Sequence, residues 1–290
     1  MTAQAPEIRR ALLTLALATL LAAGIVLLVW QFRPGLTPAP SVETLQHIAP
    51  QAVIDVTSAR DMGQALDRAG VHWPPTGTRI PAVVVAGLPE DMPSLPADER
   101  ATLFLRMVLV PTVLANQHIR QERRYLETMT RHGLPPAGSE GRNNLKRLAE
   151  RYRIDGALTE AAALEQLQQR VDEVPAALVL AVAALESGWG LSRFAVRSNA
   201  LFGQWSGRVG QTPQQFDRPD ASVRHFMHTL NTHPAFAEWR EARQQDASLA
   251  TLSEALAPWS PAHAHFPDEL QTIIHTHRLE LLPALSTAGH

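Results

Sequence analysis

The stretch VPAALVLAVAALESGWG (174–190) decides how this chain is read. Pro175 suits a first helical turn, where its missing N–H has no intrahelical acceptor and its φ is already helical. Residues 176–185 are apolar on every face. A helix of that kind has no side for water and belongs in the middle of a domain. Glu186 is its first ionisable group, and Ser187–Gly188 reads as a stop. A carboxylate there loses water to apolar neighbours and meets the negative end of the helix dipole, and both effects raise its pKa. A carboxylic acid still protonated near neutrality can donate to a leaving-group oxygen, and glycosidases bring such a glutamate to roughly 6. Trp189, three residues on, is placed to supply an apolar wall. The competing reading is a glutamate that reaches solvent or pairs with Arg193 or Arg197.

Outward from this helix the pattern stays helical. Upstream, Leu103, Met107, Val110 and Leu114 recur every three to four residues and make one buried stripe, with a kink expected at Pro111. GLPPAGSEG (133–141) breaks the chain before two further amphipathic helices, RNNLKRLAERYRI and LTEAAALEQLQQRV. Downstream, Gly203, Gly207, Gly210 and Pro213 punctuate short apolar-aromatic pieces between Leu201 and Phe216, the signature of a small β-hairpin. SARDMGQALDRAG permits a short helix, and Ala82–Gly87 is a short strand-like run between Pro81 and Pro89. The expected class is α+β, mostly α.

Composition narrows the chemistry. The 290 residues carry a formal charge of -2, which shows no bias toward nucleic acid or anionic surfaces. Of the 26 basic residues Lys146 is the one lysine, a usage that reads as genome composition. With no cysteine, disulfides, zinc-thiolate sites and thiol nucleophiles are excluded. Ala11–Val29 are 19 uncharged, mostly apolar residues, close to the ~20 that cross a bilayer as a helix. Arg9 and Arg10 precede them, against Arg33 after, so a single-pass inner-membrane anchor with everything beyond residue 33 outside the cytoplasm is expected, with a cleaved signal peptide as the alternative. RPGLTPAPS (33–41) reads as a spacer and 34–80 as a linker or peripheral segment.

The segment ALESGWGLSRFAVRSNALFGQW (184–205) closely resembles the central motif of the glucosaminidases of glycoside hydrolase family 73. The match takes in Glu186-Ser187, Gly188-Trp189-Gly190, Ser192, Ala195 and Asn199-x-Leu201-Phe202-Gly203. It continues in LNTHPAF (230–236) and, upstream, in LPEDMPSLPADERATLFLRMVLVPTVLANQHI and LAERYRI, so that it covers roughly residues 80–282. The resemblance implies a lysozyme-like fold, with a helical extension at 81–155 and the glucosaminidase domain at 156–285. It implies hydrolysis of a β-1,4 bond of N-acetylglucosamine, Glu186 in the catalytic-acid position, peptidoglycan glycan strands as partner and no cofactor. With the anchor at 1–33, the catalytic domain is expected in the periplasm.

Two departures stand out. Glycosidases usually use two carboxylates, yet no acid lies between Glu186 and Asp217, and the hairpin GQWSGRVGQTPQQ holds Arg208 but no carboxylate. Asp217 is a candidate second acid, although it also fits a hairpin exit. Where relatives place a tyrosine after the hairpin, this chain has Trp259 and Phe266. The substrate's own acetamido group, or a water held by Asn199 or Gln204, would need only one protein acid. Phe202, Trp205 and Trp259 are candidate sugar-stacking rings, with core packing as the alternative. His225, His228 and His233, and the HAHF and HTH runs, are read as ordinary histidines, with no metal site. A lytic transglycosylase and a non-catalytic wall-binding protein are the rival functions.

Overall fold

A computed structural model of the chain describes residues 48–204, 214–261 and 263–287. The expected anchor at 11–29 and the tip of the expected hairpin, Trp205 included, lie outside these residues. In chain order the elements are β1 (Ala52–Ile54), α1 (Ala59–Arg68), β2 (Arg79–Ile80), β3 (Val83–Val85), α2 (Ala97–Thr130), α3 (Glu140–Arg151), α4 (Ala161–Arg170), α5 (Ala176–Ser187), α6 (Arg193–Ser198), α7 (Pro219–Thr232), α8 (Ala237–Gln244), α9 (Leu249–Glu254), α10 (Phe266–Thr276) and β4 (Ser286–Thr287). The class is α+β and mostly helical. The strands pair in two small parallel sheets, β1 with β3 (Ala52 opposite Val83) and β2 with β4 (Arg79 opposite Ser286). No strand is assigned to 201–204 or 214–216. The two arms nevertheless meet there, the Gln214 N–H donating to the Gln204 carbonyl at 3.0 Å and that of Phe216 to Ser198 at 2.9 Å.

Helix α5 is the centre, as its apolar sequence requires. Leu178, Val179, Leu180 and Val182 are fully buried, each side chain contributing about 1.5–3 kcal/mol relative to exposure. It is flanked by α2 and α10, and α7 packs on α2. The expected stripe Leu103, Met107, Val110 and Leu114 is buried, but so are Phe104, Leu105, Val108 and Leu109. The middle of α2 is enclosed on all sides because α1, α5, α7 and β3 each pack against it. The helix continues through Pro111. Asn116 on α2 fixes the entry to α5, its Nδ2 donating to the Val174 carbonyl at 2.7 Å and its Oδ1 accepting from the Val174 N–H at 3.0 Å.

Residues 48–80 fold onto the helices and share their core. Ser58 caps α1 by accepting from the Asp61 N–H at 3.1 Å. Met62, Leu66, Val71 and Ile80 enter the same core as α5. A smaller cluster of Tyr125, Leu126, Leu145, Leu148, Tyr152, Leu167 and Val171 joins the end of α2 to α3 and α4.

Candidate active site

Helix α5 ends where the sequence sets its stop. Gly188 is left-handed (φ 57°, ψ 45°), and the Trp189 N–H reaches back to the Ala184 carbonyl at 2.8 Å while that of Gly188 reaches Leu185 at 3.2 Å. These paired bonds close the last turn. The buried Ser187 hydroxyl donates to Ala183 at 2.6 Å and accepts from the Gly190 N–H at 3.0 Å. Glu186 is thus carried on a fixed helix end, half-buried. Trp189, itself left-handed at φ 60°, packs edge-on against Phe104 at 6.1 Å and against His277 at 4.7 Å.

Two segments face the carboxyl. The first is Leu201–Gln204, held by Ser222 on α7. The Leu201 N–H donates to the Ser222 Oγ at 3.0 Å, the Gln204 Nε2 donates to the Ser222 carbonyl at 2.9 Å, and the Ser222 hydroxyl donates to the Gln204 Oε1 at 2.7 Å. Gly203 comes directly over Glu186. It has φ +60°, and a Cβ there would overlap the Glu186 Oε2, so no other residue fits without moving the acid. The second segment is 257–263. The Trp259 indole N–H donates to the Phe202 carbonyl at 3.1 Å, its ring meets Phe226 edge-on at 4.6 Å, and Phe226 stacks on Phe202 at 4.2 Å. That anchor brings the Ser260 hydroxyl into a hydrogen bond with the Glu186 carboxylate and sets the His263 charge against it. His263 Nε2 lies 3.1 Å from Glu269 Oε1, at the start of α10.

Burial pushes the Glu186 carboxyl up to about 7, against the opposing pull of the His263 charge and the Ser260 hydrogen bond. Among the described residues His263 is the only charged group acting on it. Glu122, a fully buried glutamate, shows the opposite case. Burial raises it too, but hydrogen bonds and charge from His118, Tyr152 (2.6 Å) and Arg151 outweigh burial and hold it below the usual carboxylate range. One buried acid is kept ionised by donors, the other kept protonated by their scarcity. That asymmetry makes Glu186 a candidate proton donor and Glu122 a buried anion.

The other expected site residues take up different places. Phe202 is fully buried in the ring stack, which leaves no ring face for a sugar. Gln204 spends its amide on Ser222, so it is not free to hold a water. Asn199, left-handed at φ 52°, clamps the base of the loop by donating to the carbonyls of Phe216 at 3.0 Å and Asp217 at 3.3 Å. Its buried Oδ1 has no hydrogen-bond partner among the described residues. Trp259 is half-buried and braces the loop. Asp217 is exposed and acts on Arg218, not on Glu186. His225 packs on Phe216, His228 on Tyr152, and His233 accepts from the Ala235 N–H. Among the described residues no three metal-ligating side chains converge. Sequence reasoning missed Ser260, His263 and Glu269. WSPAHAHFPDEL was read for its aromatic rings and for metal spacing, whereas its signal was a hydroxyl and an imidazole beside an anchoring tryptophan.

A family model described as mannosyl-glycoprotein endo-beta-N-acetylglucosaminidase, the glucosaminidase family, matches residues 161–279, the part of the chain that supplies every group just placed around Glu186. Residues 161–279 are similar to that glucosaminidase family. The chain is 34% identical over 155 residues to the protein named Protein bax of Escherichia coli (strain K12), across 50% of this chain and 56% of that relative. It therefore spans about half the length of the curated relative it matches. No solved structure matches the chain. The acid on α5, the Leu201–Gln204 segment and the 257–263 loop all fall inside the matched region.

Proposed function

We propose that the domain hydrolyses β-1,4 bonds of N-acetylglucosamine in peptidoglycan, with Glu186 as general acid on a lysozyme-like framework. One observation carries this reading: the carboxyl at the end of α5 is desolvated to the point of being protonated up to about pH 7. A proton donor of that strength is matched to a glycosidic oxygen at neutral pH. The Glu186 proton goes to the leaving oxygen as the C1–O bond breaks, the hydroxyl of a water ends on C1, and that water's remaining proton restores the carboxyl. The peptidoglycan assignment draws on the glucosaminidase match and on the apolar Ala11–Val29 segment behind Arg9 and Arg10. As an inner-membrane anchor that segment would hold the domain in the periplasm, beside the polymer. Among the described residues no helix is long and apolar enough to cross a membrane, and the 11–29 segment lies outside them.

The test is release of soluble sugar from purified sacculi by the wild type and by Glu186→Gln, with mass spectrometry of the fragments. Reducing N-acetylglucosamine ends that vanish in the variant are the expected result. Anhydro-muramic ends would make the chain a lytic transglycosylase. Equal release by both proteins, or binding without release by either, would remove the assignment of Glu186.

A further inference from the structure

A hairpin without an acid leaves open what replaces a second carboxylate, and the 257–263 loop with the start of α10 supplies an answer. The Trp259 indole is tied to the Phe202 carbonyl at 3.1 Å, next in the chain to Gly203, which lies on the Glu186 carboxyl. The His263 N–H donates to the Ser260 carbonyl at 2.9 Å and the Phe266 N–H to the His263 carbonyl at 3.0 Å. The imidazole is therefore positioned from both sides of the chain, and Glu269 holds its Nε2 at 3.1 Å. We propose that the His263–Glu269 pair is the second ionisable element of the site, a counter-charge that stabilises Glu186 once its proton has gone to the leaving oxygen. His263 is a positioning residue here, acting through Glu186, and Glu269 acts through His263. The inference rests on Glu186 being the acid.

The other titratable groups nearby are engaged elsewhere. Asp268 on α10 faces His265 at 3.8 Å, with both side chains exposed. Asp220 at the start of α7 is held by Arg218 and Arg224, and Asp217 acts on Arg218. His277, past the end of α10, lies on Trp189 and feels Asp98. Neither His263 nor Glu269 is buried, with side chains 40% and 46% exposed, so both tolerate exchange without loss of the fold.

The experiment compares wild type, His263→Gln, Glu269→Gln and the double variant in two ways. The first is the pH profile of sugar release. The second is a carbon-detected NMR titration of the Glu186 carboxyl, which reads the inference whether or not sugar is released. With the counter-charge removed, Glu186 holds its proton more tightly, so the carboxyl midpoint and the alkaline limb of activity should both move up by about 0.5–1 pH unit. Release at pH 6 should fall roughly three- to tenfold as the donor weakens, the same shift expressed as proton affinity. Glu269→Gln should move the midpoint the same way, and the double variant no further than His263→Gln alone. A midpoint that stays put while rate falls equally at every pH would make the pair merely structural and overturn the inference, as would additive shifts. Loss of the proposed hydrolase function would appear separately, as release untouched by Glu186→Gln.

Discussion

Glu186→Gln is expected to stabilise the fold above neutral pH, and the size of the gain follows from the buried carboxyl. Folding raises Glu186 from its ordinary 4.5 to about 7. Below the lower value the carboxyl is protonated in both the folded and the unfolded chain, and glutamine, its neutral isostere, changes little. Between the two values the unfolded chain gives up its proton while the folded one keeps it. Stability then falls with rising pH by about 1.4 kcal/mol per unit. Above the folded value the penalty is constant. A shift of about 2.5 units corresponds to about 3.4 kcal/mol, which the carboxyl's remaining contact with water trims to about 2–3 kcal/mol. For a folded unit of this size each kcal/mol moves Tm by about 2–4 °C, so the variant should melt roughly 4–12 °C higher at pH 8 and level with wild type at pH 4. Thermal melts of the two proteins at several pH values across that range check this. A difference independent of pH, or a wild type more stable at pH 8, would refute the picture of a desolvated acid kept at a cost to stability.

Three further expectations follow from the same contacts. Gly203→Ala places a methyl in a left-handed backbone and onto the Glu186 carboxyl; it should cost about 1–3 kcal/mol in chemical denaturation and displace the Glu186 titration midpoint, and an unmoved midpoint would separate Gly203 from the acid. Trp259→Phe keeps the ring but leaves the Phe202 carbonyl without its donor; a loss of about 1–3 kcal/mol and slower sugar release are expected, against no change in release if the loop is held otherwise. Glu122→Ala strips the anion from beneath Arg151 and Tyr152 and should cost about 3–5 kcal/mol at pH 7. Because its pKa is lowered by folding, wild type should lose this contribution as pH falls through the lowered value, opposite in sign to Glu186, and urea titrations at pH 3 and 7 measure it.

What was legible in the sequence was what local pattern encodes. An all-apolar decamer ending in Glu-Ser-Gly fixes both the burial of α5 and the desolvation of its acid, because helix geometry and the hydrophobic effect act over that one segment. The Pro-bounded run at 82–87 holds β3, and SARDMGQALDRAG holds α1. Polar residues in the loop were harder. Asn199 and Gln204 have the chemistry of ligands, yet backbone amides and carbonyls left over at the base of the loop had to be satisfied first, and these side chains satisfy them. Ser260 and His263 lay beyond pattern altogether. They act on Glu186 from a loop that Trp259 pins more than seventy residues downstream in the chain, and no periodicity spans that distance.

The absent hairpin carboxylate looks like a defect only if the second charge has to come from the hairpin. In this fold the charge beside Glu186 comes from the loop that leads into α10, and α10 packs directly on α5. The acid sits at the end of one of those two helices and Glu269 in the first turn of the other. Their relative placement is then set by a buried helix–helix contact, with Leu270 and Ile274 of α10 against the apolar α5, rather than by a surface loop. A packed interface holds a charge pair in register at little further entropic cost, since the groups that must be ordered are already part of the core. On that arrangement the hairpin needs no carboxylate, and residues 203–215 carry none.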